Sequence, residues 1–105
     1  MDSKTYEITE YKYGFFNSMA LRDRRMVVHL YRNEKLVAIA YFQKELHNPR
    51  VSNRSVINLF YTMEESLGVI DMLRNEKPIF LHFDPEPKEP QAFLSTSLEP
   101  IGEGE

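Results

Sequence analysis

Three side chains of types that bind metals or move protons could share a site: His29, His82 and Asp84. His82 and Asp84 stand two apart in a strand-like run, so they would face the same way. His29 from a neighbouring strand would then complete a three-ligand metal site or an acid–base pair. The spacing is not diagnostic, because any strand carrying His-x-Asp has it, and a hydrogen-bonded structural histidine fits equally. His47 lies in loop sequence and reads as exposed. The chain has no cysteine, which removes disulfides, thiolate ligands and thiolate nucleophiles. No serine stands in a Gly-x-Ser-x-Gly turn, and glycines at 14, 68, 102 and 104 cannot build a phosphate cradle. An enzymatic activity thus finds no motif, and no cofactor is implied.

A second constellation mixes cations with aromatic rings. Arg22, Arg24, Arg25, Arg32 and Lys35 fall at the ends of a predicted hairpin and its entry turn, while Arg50 and Arg54 bracket the next strand. Tyr11, Tyr13, Tyr31 and Phe42 are candidates for exposed sheet surface. Single-stranded nucleic acid is held by this combination: cations track phosphates, and rings stack bases for about 1–3 kcal/mol each. Tyrosine is also an ordinary sheet residue and scattered arginine an ordinary surface, so a plain solvated face remains the alternative. The net charge of −3 hides an asymmetry. Residues 1–60 hold ten Lys/Arg against six Asp/Glu, and residues 61–105 hold three against ten.

The elements that would position these groups are legible in part. Thr62 can cap a helix, and Glu65 three residues on makes a capping box. Met63, Leu67, Ile70 and Leu73 recur at helical spacing, widened by Val69 and Met72. Asn75 can take a left-handed C′ position, and Pro78 forbids continuation, which predicts one amphipathic helix over about 63–75. Gly68 inside it suggests a close approach or a tolerated defect. Ile79–Phe83 is then a strand.

Met26–Gln43 reads as a hairpin about Asn33-Glu34. A two-residue loop pairs Arg32 with Lys35, Leu30 with Val37, Val28 with Ile39 and Met26 with Tyr41. Paired residues share a face, so Met26, Val28, Leu30, Val37 and Ile39 would lie under the helix. Val27, Leu36, Ala38, Ala40 and Phe42, with His29 and Tyr31, would form the opposite face and a candidate oligomer interface. Strands are further expected over Tyr6–Phe16, Ser55–Tyr61 and Ala92–Leu98. Asn17–Arg25 reads as an exposed turn and Asp84–Pro90 as a stiff, extended connection.

These readings converge on one α+β domain spanning residues 1–105, with flexible ends at about 1–4 and 99–105. Its expected architecture is a curved antiparallel sheet of five or six strands, order β-β-β-β-α-β-β, with the helix on one face. The element order over Tyr6–Asn75, with basic hairpin loops and aromatic strands, resembles the small PC4/Whirly-type single-strand-binding modules. That resemblance implies binding of single-stranded DNA or RNA and self-association as a dimer or higher assembly. A homo-oligomeric adaptor using the uncovered sheet face is the alternative from a different class. No apolar run approaches the roughly 20 residues of a membrane span, and Met1-Asp2-Ser3-Lys4 does not begin a signal peptide. With no cysteine, a cytoplasmic location is expected.

Overall fold

The aromatic run near the start of the chain forms two strands, because it changes partners midway. A computed structural model of the chain describes residues 3–17, 24–52, 54–86 and 88–97. β1 (Lys4–Ile8) pairs antiparallel with β7 (Ile79–Asp84), whereas β2 (Glu10–Phe15) pairs antiparallel with β3 (Arg24–Arg32). Thr9 is the corner between them. Its N–H donates to the Tyr31 carbonyl at 2.8 Å, and its hydroxyl accepts the Asn33 N–H at 2.7 Å.

With β4 (Lys35–Gln43), β5 (Arg50–Val51), β6 (Ile57–Tyr61) and β8 (Gln91–Thr96), the described residues form two sheets. One has the order β1-β7-β8 and the other β2-β3-β4-β6-β5. The α+β class holds, the single five- or six-stranded sheet is corrected to a three-stranded and a five-stranded one, and six strands rather than four precede the helix. Nor is every pairing antiparallel: β4 and β6 run parallel from Ala38↔Ile57 to Phe42↔Tyr61. Residues 44–56 make that possible, since a parallel crossover needs about a dozen residues. The crossover also supplies β5, which turns back onto β6. Ser52 organises the turn, its hydroxyl accepting the N–H groups of Arg54 (3.2 Å) and Val56 (3.3 Å). The predicted turn at Asn17–Arg25 lies for the most part outside the described residues, as do residues 98–105.

The hairpin forms at Asn33-Glu34 with both residues at positive φ, 50° and 71°. Asn tolerates that conformation, whereas Glu pays the left-handed cost of roughly 1–2 kcal/mol. The Glu34 N–H is caught by Glu10 Oε1 at 2.9 Å. Glu34→Gly is therefore expected to stabilise the fold by about 0.5–1 kcal/mol, after allowing for glycine's greater freedom when unfolded. An upward shift of the urea midpoint at constant m-value checks this.

Beyond the turn the register departs from expectation. Tyr31 pairs with Leu36 but Leu30 with Ala38, so Val37 is an extra, bulged residue. From there to the end of β4 every side chain exchanges faces, because strand periodicity is two. Ala38, Ala40 and Phe42, expected on the outer face, are fully buried instead. Ile39 and Tyr41 take the outer face beside His29 and Val27.

The helical unit keeps its predicted limits with a changed phase. Met63–Glu65 is a 3-10 turn, and α1 spans Ser66–Asn75. Glu65 Oε1 accepts the Thr62 N–H at 2.8 Å and the Thr62 hydroxyl at 3.0 Å. A 3-10 turn advances about 120° per residue against 100° for an α-helix, so three residues rotate the stripe by roughly 60°. Val69, Ile70 and Leu73 point into the core, and Leu67 is 82% exposed. Asn75 stays helical rather than left-handed, and its Nδ2 donates to Asp71 Oδ1 at 2.6 Å. Gly68 is not a point of close approach, for a Cβ there would meet nothing within 4 Å.

One core joins the two sheets and the helix. Met26, Val28, Leu30, Ala38, Ala40, Phe42, Ile57 and Leu59 cover the inner face of the large sheet. Ile8, Ile79, Leu81 and Phe83 of the small sheet meet them, together with Val69, Ile70 and Leu73 of α1. The helix thus shares its task with a second sheet. No described helix or strand lies across the reverse face of the large sheet. None of the described helices is long and apolar enough to cross a membrane.

Candidate functional site

Two ring stacks, one inside and one outside, follow from the parallel β4–β6 pair. Inside, Phe42 and Tyr61 stack at 5.4 Å. Burial, helped by the Glu65 carboxylate, pushes the Tyr61 phenol up to about 12, so it is neutral at physiological pH. Outside, Tyr41 and Phe60 stand opposite each other and stack at 5.7 Å with their planes 22° apart.

A cation flanks each outer ring. The Arg24 guanidinium lies 4.2 Å from the Tyr41 centroid, and that of Arg50 lies 5.4 Å from the Phe60 centroid. His47, from the crossover loop, meets Phe60 edge-on at 5.1 Å. Cation–ring contacts contribute about 0.5–1 kcal/mol when exposed and roughly 2 when desolvated. Arg24 Nε is buried, and no described residue accepts its hydrogen. Among the described residues it is a ring, rather than a carboxylate, that meets this guanidinium. Arg24, Tyr41, Phe60 and Arg50 form a line across four strands of the outer face.

The other cations and rings proposed from sequence do not join this line. Tyr11 and Tyr13 pair with Leu30 and Val28, so they point to the inner side, where Tyr11 packs against the core. Tyr31 is on the outer face, at the hairpin end. Arg32 and Lys35 form the last pair of the hairpin, at the opposite end of β3 from Arg24. Eight residues separate Arg24 from Arg32, roughly 27 Å along a strand. Arg25 and Arg54 are exposed, Arg54 in the β5–β6 turn, and Arg22 lies outside the described residues. Sequence reasoning missed Tyr41, which the Val37 bulge turns outward, and Phe60 with His47, because only the parallel pairing sets Phe60 beside Tyr41.

The two histidines point away from each other. His29 stands on the outer face of the large sheet between Lys12 and Ile39, whereas His82 stands on the outer face of the small sheet between Thr5 and Phe93. The core lies between them, so they cannot share a metal ion. The described residues contain no group of three His, Cys, Asp or Glu side chains able to hold one. His82 is hydrogen-bonded at both nitrogens, with Nδ1 3.0 Å from Thr5 Oγ1 and Nε2 3.1 Å from Ser95 Oγ. Phe80 and Phe93 flank its ring. Asp84 Oδ1 accepts the Glu86 N–H at 3.1 Å, so it caps its own loop rather than orienting the imidazole. The acid–base trio is not assembled.

Burial, assisted by the Lys12 cation, lowers the pKa of His29 below its ordinary 6.5. Between the unfolded and the lower folded value, the unfolded chain holds more protons, so stability falls as pH is lowered through that window. His29→Gln is expected to remove this part of the acid sensitivity. Urea midpoints of both proteins from about pH 7.5 to about pH 5 check the sign, and equal slopes would refute it.

Compared with protein-family models, with curated proteins and with solved structures, the chain finds no match in any of the three.

Proposed function

We propose that the outer face of the five-stranded sheet binds single-stranded nucleic acid, in a non-enzymatic cytoplasmic module. The observation that carries this reading is the line Arg24–Tyr41–Phe60–Arg50, a stacked ring pair bracketed by guanidinium groups on a face that no described helix or strand crosses. Tyr41 and Phe60 each turn one face to the other ring and one to a guanidinium, so bases would pack on the outward edge of this stack while the guanidinium edges meet phosphate. Tyr31, His29 and Lys12 extend the same face toward the hairpin end. The PC4/Whirly-type resemblance supports the reading as an analogy of use and adds no residue to it.

The experiment is fluorescence anisotropy of labelled oligonucleotides against the full chain at low and raised salt. Binding that weakens with salt is expected, with single strands preferred over duplex. Absence of affinity at low salt, or affinity indifferent to salt, would end the proposal. A homo-oligomeric adaptor interface on this face would rest on Val27 and Leu36 with Ile39 and Tyr31. Ala38, Ala40 and Phe42 lie inside the core and cannot contribute.

A further inference from the structure

The edge of the large sheet at β2 carries a feature that the nucleic-acid face does not use. β2 pairs with β3 on one side, and among the described residues its other side has no strand partner. It contains no proline, a common guard of sheet edges. Tyr11, Tyr13 and Phe15 form a row of touching rings along it, at 6.4 Å and 6.1 Å between centroids. Beside this row, between β2 and α1, runs a groove of about 540 Å³, lined by Tyr13, Phe15, Leu67 and Ile70 among others. Tyr13, Phe15 and Leu67 are 43%, 68% and 82% exposed. These are three of the six large apolar side chains most exposed among the described residues, and they share one groove. Exposed apolar groups gathered in this way mark interaction surfaces.

We propose that β2 pairs antiparallel with β2 of a second copy of this chain, about a two-fold axis at Tyr13, and that the partner's rings close the groove beside α1. The self-register argues for this occupant. Like faces must meet, so the axis falls on a residue. An axis at Lys12 opposes two ammonium groups, and an axis at Tyr11 leaves Phe15 without a partner. With the axis at Tyr13, Tyr13 faces its own copy and Tyr11 faces Phe15. Lys12 then lies over Gly14, where a Cβ would meet nothing within 4 Å. Aromatic cross-strand pairs of this kind are among the favourable ones. The result is one ten-stranded sheet with two helices on its inner side. It does not depend on what the outer face binds.

The absence of native cysteine makes a direct test possible. Light scattering of the full chain should show a concentration-dependent dimer. Tyr13→Cys should give a reducible covalent dimer on mild oxidation, because residues on the axis come within disulfide reach. Lys12→Cys, displaced two residues from its copy, should not. Leu67→Glu changes an exposed helix position without touching the core, and should weaken the dimer by at least roughly tenfold with an unchanged circular dichroism spectrum. A monomer at every concentration overturns the proposal. So does a dimer that Tyr13→Cys fails to cross-link and Leu67→Glu leaves intact.

Discussion

Truncating Phe42 to alanine is expected to cost about 3–5 kcal/mol, the loss typical of a large aromatic removed from a packed interior. Phe42 is fully buried, stacks on Tyr61 and lies on the face that meets α1 and the small sheet. Ala38 and Ala40 share its row and cannot expand to fill the space without moving backbone. Against the roughly 5–15 kcal/mol that native domains retain, the loss removes about a fifth or more of the total stability. Urea unfolding of wild type and variant measures it. The experiment also tests the bulge at Val37, for a Phe42 on the outer face would cost far less. A change below about 1 kcal/mol would mean that the hairpin register is wrong.

The second large effect concerns binding. Replacing both Tyr41 and Phe60 by alanine removes the rings' outward edges and the stack that aligns the two guanidinium groups, and should cost about 2–6 kcal/mol of single-strand affinity, on the scale of roughly 1–3 kcal/mol for each base–ring contact. That is a loss of roughly 30-fold to 10⁴-fold. Both rings are only half buried and lie outside the core, so the variant should fold, and circular dichroism checks that it does. Arg24→Ala with Arg50→Ala acts differently: each phosphate left without its cation lowers the slope of log affinity against log salt by about 0.7. Arg54→Ala, in the β5–β6 turn, serves as the comparison and should change little. If the ring variant binds as well as wild type, the outer face is not the site, whatever the affinity of the whole chain.

Much of the local structure was legible because its causes lie within a few residues of each other. Thr62 and Glu65 mark the helix start, Pro78 guarantees its end, and Asn33 admits the turn by tolerating positive φ. None of these needs a distant partner. The side-chain faces failed where a single extra residue intervened. Val37 bulges, and nothing in KLVAIAYF says that one apolar residue is surplus, so Ala38, Ala40 and Phe42 of the expected interface went inside and Ile39 and Tyr41 came out. Leu67 turned outward for a related reason, a 3-10 turn whose period differs from the α-helix that follows.

What tertiary structure alone decided is which strands become neighbours. The connection at residues 44–56 is long enough for either a hairpin or a crossover, and local energy does not choose between them. Burial chooses: the crossover sets Ile57 and Leu59 beside Ala38 and Ala40, where small side chains leave room on the inner face. The same choice brings Phe60 and Arg50 to Tyr41, which Arg24 already meets through the β3–β4 pairing. Thr9 likewise bends one aromatic run into two sheets, because its two halves meet different partners. By itself, then, the sequence determined where elements begin, end and turn, through short-range capping, backbone preference and periodicity. The paired sheets and the ring-and-cation line arise from contacts between residues far apart in the chain, selected by how well they fill one core.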